Sequence, residues 1–220
     1  MLKKVLLSAT IVFCFVSSAI AADLSPINLP PPDLQGGKSL IQSLQERKTS
    51  RSFSPKKLPG AVLSNLLWAA CGINRPDSGK RTAPSARNWQ EVDVYIAMEE
   101  GLYLYNAKAH LLEPVMKRDL RRETTTFLQP SRIQVAGAPV QLIYVADYAK
   151  MGFGADEEDR IIYSAADTGF IAQNVYLYCA SAGLATGVRG LVDRDALSKD
   201  MQLRDRQKIV LVQAVGYPAE

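Results

Sequence analysis

The order and patterning of segments predict an α+β fold, a central and mostly antiparallel sheet flanked by helices. Three observations carry this. Strand-like segments cluster in mid-chain as hairpins. Long helical segments lie on either side of them. The strict β-α alternation that announces a parallel sheet is missing. The predicted order from residue 38 to 220 is α-α-β-β-β-α-β-α-α-β.

Each element has its own signal. KSLIQSLQER (38–47) sets Leu40, Ile41 and Leu44 on one helical face. GAVLSNLLWAACG (60–72) is a second amphipathic helix stopped by Gly72. EVDVYIAMEE (91–100) alternates Val92, Val94, Ile96 and Met98, a strand pattern. GLYLYNAKAHLLEPV (101–115) reads as two strands around a turn, with His110 a surface residue of the hairpin. KRDLRRETTTFL (117–128) predicts a helix with one soluble face. APVQLIYVAD (138–147) is an apolar run suited to a strand covered on both sides. DRIIYSAADTGFIAQNVYLYCASAGL (159–184) is a long helix, apolar on most of its circumference, as a core or subunit interface requires. Gly183 fits its C-terminal cap. LVDRDALSKDM (191–201) is a helix with Asp193 as N-cap. QKIVLVQAVGYP (207–218) is the final strand.

The ends set the context. Lys3 and Lys4, a short apolar stretch and Ala19-Ile20-Ala21 form a secretory signal pattern with cleavage after Ala21. The expected location is therefore the periplasm, with an uncleaved N-terminal anchor as the alternative. Phe13 before Cys14 argues against lipidation. Residues 22–37, rich in proline and glycine, predict a linker or an arm lying over a neighbour rather than a core element. The flavourless balance of 47% apolar and 22% charged residues suits one folded domain, residues 38–220. The formal charge of +4 falls to about +2 without Lys3 and Lys4. That is too little for a nucleic-acid binder. Cys71 and Cys179 survive cleavage; export permits a disulfide, but their apolar settings favour buried free thiols. With one histidine and no C-x-x-C, neither a zinc site nor a Ser-His-Asp triad is expected. The common nucleotide-binding glycine loops are absent.

Four polar segments stand out. In ERKTSRSF (46–53) an extended backbone would point Arg47, Thr49 and Arg51 one way, with Lys48 and Ser50 facing away. Two guanidinium groups and a hydroxyl suit a phosphate dianion. A solvated basic helix end is the plainer reading of the same residues. GKRTAPSARNWQ (79–90) is a polar loop with Ser85 and Asn88, Arg81 and Arg87. GLATGVRGL (183–191) has glycines that admit a ligand to the backbone. AADTGFIAQN (165–174) carries Gln173 and Asn174 inside the long apolar helix, where they need partners.

Together, in this order, the four resemble the FMN-dependent nitroreductase family over about residues 38–218. Arg47 to Phe53 is similar to its Arg-x-Ser-x-Arg/Lys-x-Phe opening, with Thr49 in place of serine. APSARNWQ is similar to Pro-Ser-x-x-Asn-x-Gln, and DTGFIAQN to Asp-x-Gly-x-x-x-Gln-Asn. AVGYP resembles the closing strand. The YLYNAKAHLLEPV hairpin further resembles the branch containing azoline-oxidising dehydrogenases.

The resemblance implies an intertwined homodimer with FMN at its interface and the long helix in the seam. It implies that Arg47, Thr49 and Arg51 hold the FMN phosphate, and that Ser85 and Asn88 contact the ribityl chain or the ring. Arg189 and Gly190 would lie against the ring, through their backbone. The implied reaction is ping-pong transfer from NAD(P)H or another reductant to a small acceptor such as a nitroaromatic or quinone, the flavin carrying the chemistry. No catalytic side chain is assigned. Phe153, on a glycine-flanked loop, and Arg87 are candidate substrate contacts. The competing class is an exported flavin-binding carrier or sensor without turnover. One departure stands out: family members often place a basic residue after the last strand to reach the phosphate, and none follows here. Arg206 or Lys208 are the candidate substitutes.

Overall fold

In the computed structural model, residues 24–125, 135 and 137–219 are described. The signal pattern lies outside them. Seven strands form one sheet in the order β1-β6-β5-β4-β7-β9-β8, every pairing antiparallel. They are β1 (Ile27–Asn28), β4 (Val92–Met98), β5 (Gly101–Asn106), β6 (Leu111–Met116), β7 (Val140–Asp147), β8 (Ala185–Arg189) and β9 (Gln207–Gly216). A separate ribbon pairs β2 (Ile73–Arg75) with β3 (Lys80–Arg81). The helices are α1 (Leu40–Glu46), α2 (Gly60–Cys71), α3 (Glu157–Ala182) and α4 (Arg194–Asp200). None of the described helices is long and apolar enough to cross a membrane.

Side-chain alternation puts a core on each face of the sheet. Val92, Val94, Ile96, Leu142 and Tyr144 join α2 and α3 on one face. Tyr95, Ala97, Ile143 and Val145 meet Leu197 of α4 and its C-cap Met201 on the other. All eight residues of β7 are buried, Gln141 and Asp147 included, as a strand covered on both sides requires.

Helix α3 forms where its signals predict. Asp156 accepts from the Asp159 amide at 2.8 Å, and Glu157, Glu158 and Asp159 place negative charge at the positive end of the helix dipole. Gly183, at φ 69°, closes it in the left-handed conformation that glycine tolerates. Asp193 caps α4 by accepting from the Ala196 amide.

Four expectations need correction. Residues 117–125 of the expected helix form bends and turns, and 126–128 lie outside the described residues. Asp119 accepts from the Arg121 amide and guanidinium, and Thr124 donates to the Arg121 carbonyl, so local side-chain bonds displace the helical ones. The expected order has no strand between α3 and α4, yet the glycine-rich stretch there is the edge strand β8. The arm is partly core: Leu29 is buried with α2, and β1 pairs with β6. The arm's Pro30 carbonyl accepts from Ser64 Oγ at 2.5 Å and lies 3.2 Å from His110 Nε2, while Tyr105 OH lies 2.9 Å from His110 Nδ1. His110 thus sits in the hairpin as predicted, fastening the arm. Finally, α1 turns Ser43 inward, while Leu40, Ile41 and Leu44 face solvent.

Candidate functional site

The segment after α1 leaves the helix extended and runs beside β8. The Ser50 amide donates to the Thr186 carbonyl at 2.8 Å, the Ser54 amide to the Tyr217 carbonyl at 2.9 Å, and Phe53 bridges Pro218. The chain passes so close to β8 that a Cβ on Gly187 would lie 2.7 Å from the Ser50 carbonyl oxygen. A buried polar chain holds β8 in place: Tyr144 OH donates to Gln213 Oε1 at 2.5 Å, and Gln213 Nε2 donates to Thr186 Oγ1 at 3.0 Å.

Arg47 and Thr49 converge on Tyr176 of α3. The guanidinium lies 5.4 Å from the ring centroid, and Thr49 Oγ1 lies 3.0 Å from the hydroxyl. That hydroxyl also accepts from the Val188 amide at 2.9 Å. Beside them opens a cavity of about 480 Å³, lined by Lys38, Arg47, Lys48, Tyr176, Thr186 and Pro218 among others. Lys48 therefore shares the cavity with Arg47 instead of facing away. Arg51 is exposed further along the same segment.

The loop of Ser85, Arg87 and Asn88 docks elsewhere. Arg87, Asn88 and Gln90 all have positive φ, 49°, 57° and 49°. Three such non-glycine residues in one loop need strong bracing. Ser85 Oγ donates to Glu91 Oε2 at 3.1 Å and accepts from the Gln90 amide at 2.8 Å. The Ala86 amide donates to Asp167 Oδ2 at 2.9 Å. The Ser85 hydroxyl is thus spent within the loop, while Arg87 and Asn88 are exposed. Glu91 and Asp167 are both buried. Burial, and then the Asp167 carboxylate beside it, push the Glu91 carboxyl above its ordinary range. The Arg87 guanidinium lies 5.4 Å over the Trp89 ring, which packs edge-on against Tyr163.

Tyr176 and Asp167 are nine residues apart on α3, so they lie about half a turn apart and ~13 Å along the axis. The Arg47–Thr49–Tyr176 cluster and the polar loop therefore attach to opposite flanks of one helix. Between these flanks, away from the core, Ile162, Phe170 and Gln173 are exposed.

The Arg189 side chain points to the other face of the sheet, donating to Gln141 Oε1 at 2.5 Å and Thr124 Oγ1 at 3.2 Å. That side chain is turned to Gln141 and Thr124, which leaves the Arg189 and Gly190 backbone at the end of β8. Gly190 has room, since a Cβ there would meet only Leu211 at 3.6 Å. Phe153 is fully exposed between buried Met151 and Ala155. Arg206 donates to the Tyr148 carbonyl, and Lys208 pairs opposite Ala146. Lys208 is eight residues from Gly216 along β9, about 27 Å. Both therefore lie at the end of β9 away from Pro218 and the Arg47 cavity.

Sequence reasoning missed three contributors. Tyr176 stands in the quoted helix motif, but only packing shows that it gathers Arg47, Thr49 and β8. Glu91 reads as the first residue of a strand. Lys38 reads as the start of a helix. Cys71 and Cys179 are free and buried, and burial lifts the Cys71 thiol to about 11 and the Cys179 thiol higher still. Reactive thiolates need the opposite environment. Among the described residues, no group of three or more His, Cys, Asp or Glu side chains could hold a metal ion.

A charged cleft, a braced loop and this sheet define a known class. The Nitroreductase family model matches residues 44–217, and the chain belongs to that family of oxidoreductases. A candidate nitroreductase of Ralstonia eutropha JMP134, known as a crystal structure, is 39% identical, with a TM-score of 0.83 over 92% of this chain and 93% of its own. A curated candidate nitroreductase of Methanocaldococcus jannaschii is 29% identical over 163 residues, 70% of this chain and 79% of that protein. The NADPH:FMN oxidoreductase of Vibrio harveyi, solved with NAD+, is 17% identical, with a TM-score of 0.63 over 82% of this chain and 69% of its own. That last likeness extends to the fold alone.

Proposed function

We propose that the chain is an FMN-dependent oxidoreductase of the nitroreductase type, passing electrons from a small-molecule reductant to a small organic acceptor by ping-pong exchange. One observation carries the reading. Arg47 and Thr49 gather on Tyr176 at a cavity whose rim also holds Lys38 and Lys48. This donor set fits a phosphate dianion: forked guanidinium and point-charge ammonium groups match its oxygens. Bound FMN supplies the two-electron chemistry.

The protein's own residues position and shield. Arg47, Thr49 and Arg51 hold the phosphate, with Lys48 adding charge at the same cavity. The backbone of Arg189 and Gly190 lies against the ring. Asn88 and the braced loop of Ser85 contact the ring or ribityl chain. Arg87 on Trp89, with exposed Phe153, forms a cationic and aromatic surface for an electron-poor acceptor.

The two polar groups sit on opposite flanks of α3, so one flavin touching both needs two copies of the chain. A homodimer supplies this. The apolar faces of α1 (Leu40, Ile41, Leu44) and α3 (Ile162, Phe170) are the surfaces it would bury. The signal pattern of the sequence supports a reaction outside the cytoplasm, where NAD(P)H is scarce, and with it a reductant other than the family's common one.

The test is reconstitution of the purified chain with FMN, followed by steady-state turnover with a panel of reductants and with nitroaromatic and quinone acceptors. Flavin absorbance plus acceptor-dependent oxidation of a reductant is expected. Absence of flavin bands removes the reading. Bound flavin without turnover for any pair points to a carrier instead. Cell fractionation reads the location.

A further inference from the structure

The motifs assign Tyr176 no role, yet three segments meet on it. Its ring carries the Arg47 guanidinium, its hydroxyl lies 3.0 Å from Thr49 Oγ1, and the same hydroxyl accepts the Val188 amide of β8 at 2.9 Å. We infer that Tyr176 is the positioning residue of the phosphate clamp and sets its preference for a phosphorylated flavin over the unphosphorylated one. This inference rests on the FMN reading above.

The hydrogen-bond inventory gives the reason. A phenol hydroxyl has one proton and acceptor capacity besides. The Val188 amide uses the acceptor side, and in the inferred arrangement the Tyr176 proton goes to Thr49. Thr49, accepting it, keeps its own proton to donate outward. Thr49 is exposed beside the cavity that Arg47 and Tyr176 line, and can meet a phosphate oxygen.

The ring has a second effect. Arginine has many rotamers, and fixing one on binding costs free energy. A cation held over a tyrosine face has already given up part of that freedom. Lys38 and Lys48 line the same cavity without such a platform, and Lys38 is paired with Glu46. Arg47 and Thr49 are therefore the preorganised pair. Both effects act only where the phosphate binds. Riboflavin has no group there, so the ratio of FMN to riboflavin affinity reads Tyr176 directly. A tyrosine that merely supports the fold would change both affinities alike.

The experiment titrates FMN and riboflavin separately into the full chain, following fluorescence quenching. The proteins are wild type, Tyr176→Phe, Thr49→Val and the double variant. Tyr176→Phe keeps the ring under Arg47 and loses only the hydroxyl. Its FMN Kd is expected to rise about tenfold, the scale of one hydrogen bond to a charged group, with riboflavin affinity unchanged. Thr49→Val is expected to shift the ratio the same way, and the double variant to fall no further than the weaker single. Equal loss of both flavins, or an unchanged ratio, overturns the role of Tyr176 while wild-type preference for FMN keeps the function reading intact. A wild-type chain that binds neither flavin overturns both. Thr49→Val lies at the exposed end of the same bond and carries the comparison should Tyr176→Phe fail to fold.

Discussion

At Gly187 the absence of a side chain decides whether two segments can touch. An added Cβ would meet the Ser50 carbonyl at 2.7 Å and Thr49 Cγ2 at 3.3 Å. Backbone cannot yield as a flexible side chain can. Gly187→Ala is expected to destabilise the chain by about 1–3 kcal/mol, as overpacking does, read as a lowered urea midpoint. It should also weaken FMN binding, because it displaces Thr49. Arg47 acts by charge. Arg47→Ala is expected to cost about 1.5–3 kcal/mol of FMN affinity, the scale of a charged hydrogen bond. Unchanged retention of FMN would remove the phosphate assignment. These residues were legible because their types suit an anion. Tyr176 was not, since a tyrosine in an apolar helix has the same pattern whether it packs or positions.

Among the elements, the loop from Ser85 to Gln90 is the most constrained. Its three left-handed residues rest on two buried carboxyl groups, Glu91 through Ser85 and Asp167 through the Ala86 amide. Because the Glu91 pKa is raised by burial and by Asp167, the folded chain keeps a proton that the unfolded chain releases near 4.5. The stability this provides is full below that value and is lost as pH rises through the raised one. Glu91→Gln cannot ionise and still offers a carbonyl to Ser85. Its melting temperature is therefore expected to fall less than wild type's between acid and neutral pH. Parallel pH profiles would show that Glu91 is not held protonated. Nothing in the alternation of Val92, Val94 and Ile96 marks Glu91 as a brace, because its partner comes from α3, 76 positions along the chain. The turns at 117–125 were misread for a related reason: Asp119 and Arg121 compete for the backbone locally, and propensity alone does not weigh that competition.

On the scale of the whole molecule, the exposed apolar face of α1 is the feature a monomer does not explain. Helix α1 packs on α3 yet turns Leu40, Ile41 and Leu44 outward, 64%, 65% and 47% exposed, which is costly for a free monomer. Substituting Ile41→Asp should leave the monomer's own core untouched, since the residue is outside it. It is expected to abolish dimerisation, seen as a halved mass by light scattering after gel filtration, and with it FMN retention. A wild-type chain that is monomeric at micromolar concentration would remove the homodimer. The sequence by itself determined the α+β class, most elements and their caps, and the four polar segments, because periodicity and capping are local and the motif order is linear. Only the tertiary structure decided that the arm joins the core, that GLATGVRGL is an edge strand, and that Tyr176 gathers the clamp. It alone placed the two polar groups on opposite flanks of α3. Those outcomes depend on contacts between residues far apart in the chain, and no local pattern encodes which distant surface a side chain will meet.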